Sequence, residues 1–286
     1  MTPPLLAALL FAAAPVRAEP PNVLADTAPV QSLVAMVMGD LGTPGLIVAP
    51  GTSPHDASLT PSEAQALTEA DVIVWTGDAL LPWLGESIAS LAPQAEVHSL
   101  LSTDGWEPLP ADGDDGIDPH AWLDPEVAAA WLGHIASALS QADPEDAETY
   151  RRNAAGAAER LATLGADLRQ RPAPLGETGY AVGHDAYRYF GRAVGLAPAG
   201  AIAPSDGSEP APSDIAALRD LVASGQVRCL LLDAETDPSW ADTLAEGAPL
   251  STATVDPEGL TLDPGPDLYP TLIANLTAAL ESCLGA

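Results

Sequence analysis

The sequence contains no lysine, and all ten of its basic residues are arginines. They stand against 40 acidic residues, so the formal net charge at pH 7 is −30. A surface with this excess of negative charge repels nucleic acids and anionic lipids, and it raises the local concentration of cations. We therefore expect no nucleic-acid partner. Simple solubility of an exported protein is the alternative reason for such a charge.

Long hydrophobic runs are also absent. The apolar run of residues 5–14 is too short to span a bilayer, and residues 1–18 as a whole are typical of a secretory signal peptide. No cysteine follows this run, which excludes the lipid-anchored class of exported proteins. We expect a soluble, exported protein without a membrane anchor. Its charge becomes −31, because Arg17 is the only charged residue that leaves with the signal.

Cysteine is scarce as well, since Cys229 and Cys283 are the only two. An even pair in an oxidising compartment indicates one disulfide. A metal site that uses both sulfurs is the alternative, but neither cysteine has a second cysteine or a histidine beside it.

The rest of the chain alternates short apolar segments with helix-like ones. In residues 19–142 the strand-like segments are "PNVLAD", "GLIVAP" and "DVIVWTG", and in residues 173–286 they are "GYAVG", "VRCLLLD" and "PLSTATV". Before one helix-like segment, Thr60 and Glu63 have the spacing of a capping box, with Pro61 at the first helical position. Strands that alternate with helices predict two α/β halves with mostly parallel sheets.

A long helical segment separates the two halves. Residues 143–172 begin with Asp143 as a candidate N-cap and carry an apolar stripe with 4-3-4-3-4 spacing, namely Tyr150, Ala154, Ala157, Leu161, Leu164 and Leu168. About 28 helical residues would reach roughly 42 Å. This length favours a rigid connecting helix that packs along both halves. An ordinary core helix, which is the alternative, would be shorter.

Three of the five histidines lie in loops next to predicted helices. His55 and His184 each follow a predicted strand, whereas His120, in "DPHAWLDPE", precedes a helix that starts near Pro125. Such loops, beyond the carboxyl ends of parallel strands, are where α/β sheets bind ligands. Each of these histidines has one or two aspartates nearby, and another aspartate follows the last strand: Asp56 for His55, Asp118 and Asp124 for His120, Asp185 for His184, and Asp256 after the strand.

These residue types are suited to zinc. Three imidazoles and one carboxylate fit a tetrahedral Zn²⁺ site, and the neighbouring aspartates could accept the second ring N–H of each histidine. No short ligand motif such as HExxH is present, so a structural role for each histidine is the alternative. His98 and His134 are expected to be structural.

Several long segments resemble the metal-binding family of ABC-transporter solute receptors, most of all its zinc-uptake members. They include "SPHDASLTPSEAQALTEADVIVWTG", "DPHAWLDPEVAAAWLGHIASAL", "GHDAYRYFGRAVGL" and "DPEGLTLDPGPDLYPTLIANLTAALESCL". The resemblance implies two α/β lobes joined by one long helix, with the metal in the cleft between them. It also implies His55, His120 and His184 as ligands, with Asp256 as the fourth ligand of some members.

The resemblance further implies a function. The protein would be a monomeric, non-enzymatic receptor that captures Zn²⁺ in the periplasm and delivers it to the membrane permease of an ABC transporter. Asp118 or Asp124 would support His120, Asp185 would support His184, and Trp122 would help to exclude water.

The chain departs from the family pattern at three points. Its loop 102–118 is acidic and has no histidine, Pro54 stands where some members have a glutamate, and "LLLDAETD" follows Cys229 in place of the usual Glu-Pro-Gln-Phe-like word. A manganese or iron receptor of the same fold is one alternative to the zinc receptor. The others are a secreted zinc hydrolase with Glu235 as its base and a metal-independent adhesin.

Overall fold

The computed structural model describes residues 19–55, 57–111, 116–170, 178–203, 209–233 and 236–285. The predicted signal segment, residues 1–18, and the middle of the acidic loop lie outside these ranges. None of the helices in the described ranges is both long and apolar enough to cross a membrane.

The first half forms a sheet of four parallel strands in the order β2-β1-β3-β4. The strands are β1 (Val23–Ala25), β2 (Gly45–Leu46), β3 (Val72–Trp75) and β4 (Glu96–Ser99). The helices between them are α1 (Ala28–Met38), α2 (Pro61–Glu69) and α3 (Pro82–Leu91). The parallel sheet predicted from the apolar segments is confirmed, and the central strands β1 and β3 are buried throughout.

The second half repeats this strand order, as β6-β5-β7-β8. The strands, again all parallel, are β5 (Gly179–His184), β6 (Ala201–Ala203), β7 (Val227–Leu232) and β8 (Ser251–Thr254). The helices are α6 (Arg188–Val194), α7 (Pro212–Ala223), α8 (Ser239–Ala245) and α9 (Leu268–Gly285). Strand β6 was not predicted, because three alanine-rich residues at a sheet edge give no run of β-branched or aromatic side chains.

The start of α2 is as predicted. The backbone N–H of Glu63 donates to the Thr60 hydroxyl, and the Thr60 N–H donates to the Glu63 carboxylate at 2.7 Å. This capping box satisfies two of the amides that a helix leaves without intrahelical partners. It therefore fixes where the loop that carries His55 ends.

Between the sheets lie α4 (Pro125–Ala142) and α5 (Ala147–Gln170), which pack side by side. The long helix predicted for residues 143–172 therefore begins at Ala147, four residues later than predicted. Residues 171 and 172 lie outside the described ranges. Asp143 ends α4 instead of starting the long helix, and its carboxylate accepts a hydrogen bond from the Tyr150 hydroxyl at 3.0 Å.

At 24 residues, α5 is about 36 Å long. Its predicted apolar stripe is buried at Tyr150, Ala154, Ala157, Leu161 and Leu168, and half-buried at Leu164. The helix contacts α1 and α4 of the first half and α6 and α9 of the second. It thus packs along both halves, as the connecting-helix interpretation required.

Helix α6 provides a second connection between the halves. Arg192 donates through Nε to the Asp124 carboxylate at 2.8 Å and through a terminal nitrogen to the Glu107 carbonyl at 3.0 Å. The Tyr189 hydroxyl accepts the N–H of Leu109 at 2.7 Å. These contacts hold the segment 107–124, which carries His120, against the helix that directly follows His184.

A disulfide joins Cys229 of β7 to Cys283 of α9, with a Cα–Cα distance of 5.5 Å. The predicted disulfide is thereby present, and the alternative of a metal site built from both sulfurs is excluded. Both cysteines are buried, so the bond anchors the last helix to the middle of the second sheet.

Asp26, which follows β1, is a fully buried carboxylate. One oxygen accepts the N–H of Thr27 at 2.8 Å and the other accepts the N–H of Thr76 at 2.6 Å, so the residue links the ends of β1 and β3. Burial raises the pKa of Asp26 to about 6, although the hydrogen bonds oppose this shift.

Replacement of both cysteines, Cys229→Ala with Cys283→Ala, should lower the free energy of unfolding by about 2–4 kcal/mol, because the bond closes a loop of 54 residues in the unfolded chain. Urea denaturation of the wild type and the double variant measures the difference. Free thiols that react in the native wild-type protein would contradict the assignment.

A second prediction concerns Asp26. Because its pKa in the folded state is raised from 3.8 to about 6, its protonated form favours folding, and this contribution is lost as the pH rises from about 4 to about 6. The Asp26→Asn variant lacks this titration. The unfolding free energy of the wild type should therefore fall relative to that of the variant over that range, by on the order of 2 kcal/mol. Denaturant titrations at several pH values test this, and a constant difference would refute the buried titration.

Candidate metal centre

Three histidines converge between the two sheets. His55, His120 and His184 each offer one ring nitrogen, and these nitrogens all lie within 4.8 Å of one another. The ring centroids are 5.7 to 6.1 Å apart, which is nearly an equilateral triangle. Within the described ranges, this is the one group of three or more histidine, cysteine or acidic side chains with ligand atoms this close together.

The three histidines come from both halves of the fold. His55 lies in the loop between β2 and α2, and His120 directly precedes a short 3₁₀ helix, residues 121–123, that leads into α4. His184 is the last residue of β5. The site therefore lies beyond the carboxyl ends of parallel strands, where α/β sheets bind ligands.

His120 is oriented by Asp118, one of the two aspartates expected to support it. The Asp118 carboxylate lies 2.9 Å from His120 Nδ1 and also accepts the His120 backbone N–H at 3.0 Å. A carboxylate only accepts hydrogen bonds, so Nδ1 carries the proton and Nε2 presents its lone pair. The other oxygen of Asp118 lies 3.4 Å from Nε of Arg188.

His184 is oriented by Asp233, which the sequence had not indicated. The Asp233 carboxylate lies 2.6 Å from His184 Nδ1 and, through its other oxygen, accepts the Thr236 hydroxyl at 2.6 Å. The expected partner, Asp185, instead forms an ion pair with Arg188 at 3.2 Å. Asp233 could have been found from its place after β7, because β7 is the neighbour of β5 in a parallel sheet.

Two further residues support Asp233. Burial, followed by the charge of Asp233, raises the pKa of Tyr187 well above 10, so its hydroxyl stays protonated and donates to Asp233 at 3.4 Å. Gly183 lies so close to Thr236 that any Cβ at position 183 would overlap the threonine side chain. The glycine thereby allows Thr236 to reach Asp233.

Trp122 forms one wall beside His120. Its indole is fully buried, its ring lies 5.4 Å from the His120 ring, and its N–H donates to the Pro257 carbonyl at 2.9 Å. The tryptophan is therefore placed where it excludes water from His120, and it connects the first half to the loop after β8.

Asp124 has a different role from the one expected. Its carboxylate caps α4 by accepting the N–H of Glu126 at 2.8 Å and pairs with Arg192 across the two halves. Helix capping and the arginine occupy this side chain, so His120 is supported by Asp118 and not by Asp124.

Asp256 also differs from the expectation. Its oxygens accept the N–H of Leu260 at 2.9 Å, the N–H of Thr261 at 2.8 Å and the Thr261 hydroxyl at 2.7 Å. The structure does not include it in the histidine group. The carboxylate that lies beside this group belongs to Glu258, which is 3.3 Å from Nε2 of His55.

The other two histidines lie outside the group. His98 is close to Glu96, with a pKa lowered by partial burial, and His134 contacts the Asp104 carbonyl at 3.0 Å. Neither belongs to the histidine group. Asp56, the expected partner of His55, lies outside the described ranges. Glu235, the base in the hydrolase alternative, lies outside them as well.

Comparison with known proteins points to one family. The family model described as ZnuA, zinc-uptake complex component A, periplasmic, matches residues 23–283. The high-affinity zinc uptake system protein ZnuA of Paracoccus denitrificans (strain Pd 1222) is 38% identical to this chain over an alignment of 317 residues. The alignment covers 99% of this chain and 97% of that protein.

Solved structures share the fold. A ZnuA deletion mutant with zinc bound has a TM-score of 0.80 at 22% identity and covers 93% of this chain and 99% of its own. FpvC from Pseudomonas aeruginosa, in complex with Mn²⁺, has a TM-score of 0.79 at 23% identity and covers 93% of this chain and 98% of its own. At these identities the structures show the two-lobe architecture and leave the choice of metal to the chemistry of the site.

The role of Asp233 can be tested with an isosteric variant. Asp233→Asn should weaken metal binding by roughly 10- to 100-fold, because an amide no longer holds His184 in the tautomer that leaves Nε2 unprotonated. Asp185→Asn is the matched control and should bind nearly as tightly as the wild type. Competition of Zn²⁺ against a chelator measures both, and equal affinities of the two variants would exclude this role.

Proposed function

The chain belongs to the ZnuA family of periplasmic zinc-uptake components, and from this we propose that it captures Zn²⁺ in the periplasm and delivers it to an ABC-transporter permease. The observation that carries the proposal is the triangle of histidines, drawn from both halves, in which two imidazoles are held by buried carboxylates. We assign His55, His120 and His184 as the metal ligands.

The donor set favours zinc over manganese. Neutral imidazole nitrogens suit Zn²⁺, whereas Mn²⁺ prefers sites that are rich in oxygen. Intrinsic affinity for divalent metals also increases from manganese towards zinc. A manganese or iron receptor of the same fold would be expected to offer more oxygen ligands than this set of three histidines does.

The enclosure of the site favours transport over catalysis. The side chains of His55, His120 and His184 are 9%, 3% and 7% exposed. A zinc hydrolase needs an open coordination position that an organic substrate can reach. A site this enclosed is suited to a single ion, so we propose a receptor and not an enzyme.

The proposed receptor has two lobes, residues 19–142 and 173–286, connected by the segment 143–172. Residues 1–18 would direct its export, and the mature protein would act as a soluble monomer in the periplasm. Its partner would be the membrane permease of an ABC transporter, which receives the ion.

Selectivity for zinc is the decisive test. The wild-type protein, purified without a histidine tag, should bind Zn²⁺ more tightly than Mn²⁺ when both compete against a chelator of known affinity at neutral pH. His120→Ala should weaken zinc binding by roughly tenfold or more. Even the loss of a residue that only supports a metal ligand lowers metal affinity by about 10- to 100-fold. His134→Ala, which changes a histidine outside the group, is the control and should leave zinc binding unchanged.

Tighter binding of Mn²⁺ by the wild type would overturn the zinc assignment and favour the manganese alternative. Equal zinc affinities of the wild type and His120→Ala would show that the histidine triangle is not the binding site.

A further inference from the structure

The carboxylate behind His120 is held from the other half of the molecule. Asp118 is only 1% exposed, and one of its oxygens accepts the His120 backbone N–H and faces His120 Nδ1. Its second oxygen is buried and has no hydrogen-bond partner within the described ranges. The group that faces this oxygen is Nε of Arg188, at 3.4 Å. A buried carboxylate needs such a compensating charge to stay in place.

We propose that Arg188 is a positioning residue, which acts through Asp118 to hold His120 in its metal-binding orientation. This inference rests on the proposed function, since it concerns one of the three assigned ligands. It gives a role in ion binding to a residue that lies outside the histidine group. Through this residue, the second half of the molecule orients a ligand that belongs to the first half.

The place of Arg188 on α6 makes this contact possible. Arg188 is the first residue of that helix, which begins shortly after the ligand His184. One turn later, Arg192 pairs with Asp124 at 2.8 Å. Residues four positions apart lie on the same face of a helix, so both arginines face the segment that carries Asp118. The pair at Arg192 joins the halves, whereas the pair at Arg188 lies directly behind a metal ligand.

Asp185 shares the same arginine. Its carboxylate lies 3.2 Å from Nε of Arg188, so the guanidinium lies between one carboxylate of each half. One positive charge between two negative charges leaves the group with a net negative charge, which suits a site for a cation. If Asp185 is removed, Arg188 still pairs with Asp118. The support of His120 should therefore depend on the arginine much more than on Asp185.

The sign of the effect on affinity separates positioning from a simple effect of charge. A positive side chain near a cation site repels the ion, so its removal by itself would tighten the binding of a divalent cation. Loss of a positioning residue has the opposite result. Without Arg188, the Asp118 carboxylate is free to turn away from His120. It then no longer fixes the Nδ1 proton and the ring of this ligand.

Zinc affinities of matched variants determine this sign. Arg188→Gln removes the charge and keeps a polar side chain, so zinc should bind roughly tenfold more weakly in competition with a chelator. Arg188→Lys keeps the charge and has to restore contacts to a single nitrogen, not to a two-nitrogen fork, so it should recover most of that loss. Arg152→Gln, which removes an exposed arginine of α5, controls for the change in net charge and should leave zinc affinity unchanged.

Nitrogen-15 NMR of the histidine rings detects the positioning directly. In the metal-free wild type, well above the usual histidine pKa, His120 and His184 should both carry their proton on Nδ1, because each faces a carboxylate there. Arg188→Gln should move His120 towards a mixture of tautomers. It should leave His184 unchanged, because Asp233 holds that ring independently. A general loss of structure would not alter one ring and spare the other.

A double-mutant cycle tests whether Arg188 acts through Asp118. Asp118→Asn alone should weaken zinc binding, and Arg188→Gln should add little to this loss, because the group that it supports is already changed. Fully additive losses would contradict the proposal. Far-UV circular dichroism checks that each variant is folded. If Arg188→Gln does not fold, Arg188→Met takes its place, since it keeps an unbranched apolar stem without the charge.

Tighter or unchanged zinc binding in a folded, uncharged Arg188 variant would overturn the assignment. Weaker binding with an unchanged His120 tautomer would overturn it as well. Failure of the proposed function would look different, because the wild type and His184→Ala would then bind zinc equally, whatever residue stood at position 188. The NMR signals come from metal-free protein, so they test the role of Arg188 even in that case.

Discussion

The geometry of the site depends on the contact between α6 and the segment 107–124. Arg192 and Tyr189 bind this segment through a carboxylate, a carbonyl and an amide of the other half. His184 lies just before α6 and His120 lies within the bound segment. The same contacts that join the halves therefore set the distance between two of the three imidazoles, while α5 supports both halves along its length.

The two halves use the same strand order for different purposes. In each, the central pair of strands ends at the point where the connections change direction, which is where α/β sheets bind ligands. In the first half this point contains Asp26 and the Thr76 amide, which are buried and join the strand ends. In the second half it contains His184 and Asp233. One copy of the arrangement joins the strand ends, and the other orients His184.

The sequence was sufficient wherever the signal was local. Apolar strand segments, the capping box at Thr60 and the stripe along α5 each depend on neighbouring residues, and the structure contains them. The three histidines were found because their loops follow from the same alternation of strands and helices. Partners that come from distant parts of the chain were not predictable in this way. Asp233 is 49 residues from His184, and Glu258 is 203 residues from His55, so only the packed fold brings each pair together.

Carboxylates with a local role are difficult to tell from site residues in a sequence. Asp124 and Asp256 stand near histidines or strand ends, which made them candidates for the site. In the structure their oxygens satisfy backbone amides at a helix start and in a turn. An aspartate beside a loop is as well suited to capping as to metal chemistry, and sequence spacing alone does not separate the two roles.

The close approach of Gly183 and Thr236 has an evolutionary consequence. A side chain at position 183 would overlap the threonine, so position 183 can gain one only if position 236 changes as well. Any descendant that gains a side chain at position 183 must lose the threonine and, with it, a hydrogen bond to Asp233. Substitutions at these two positions should therefore be correlated among related sequences, although neither residue belongs to the histidine group.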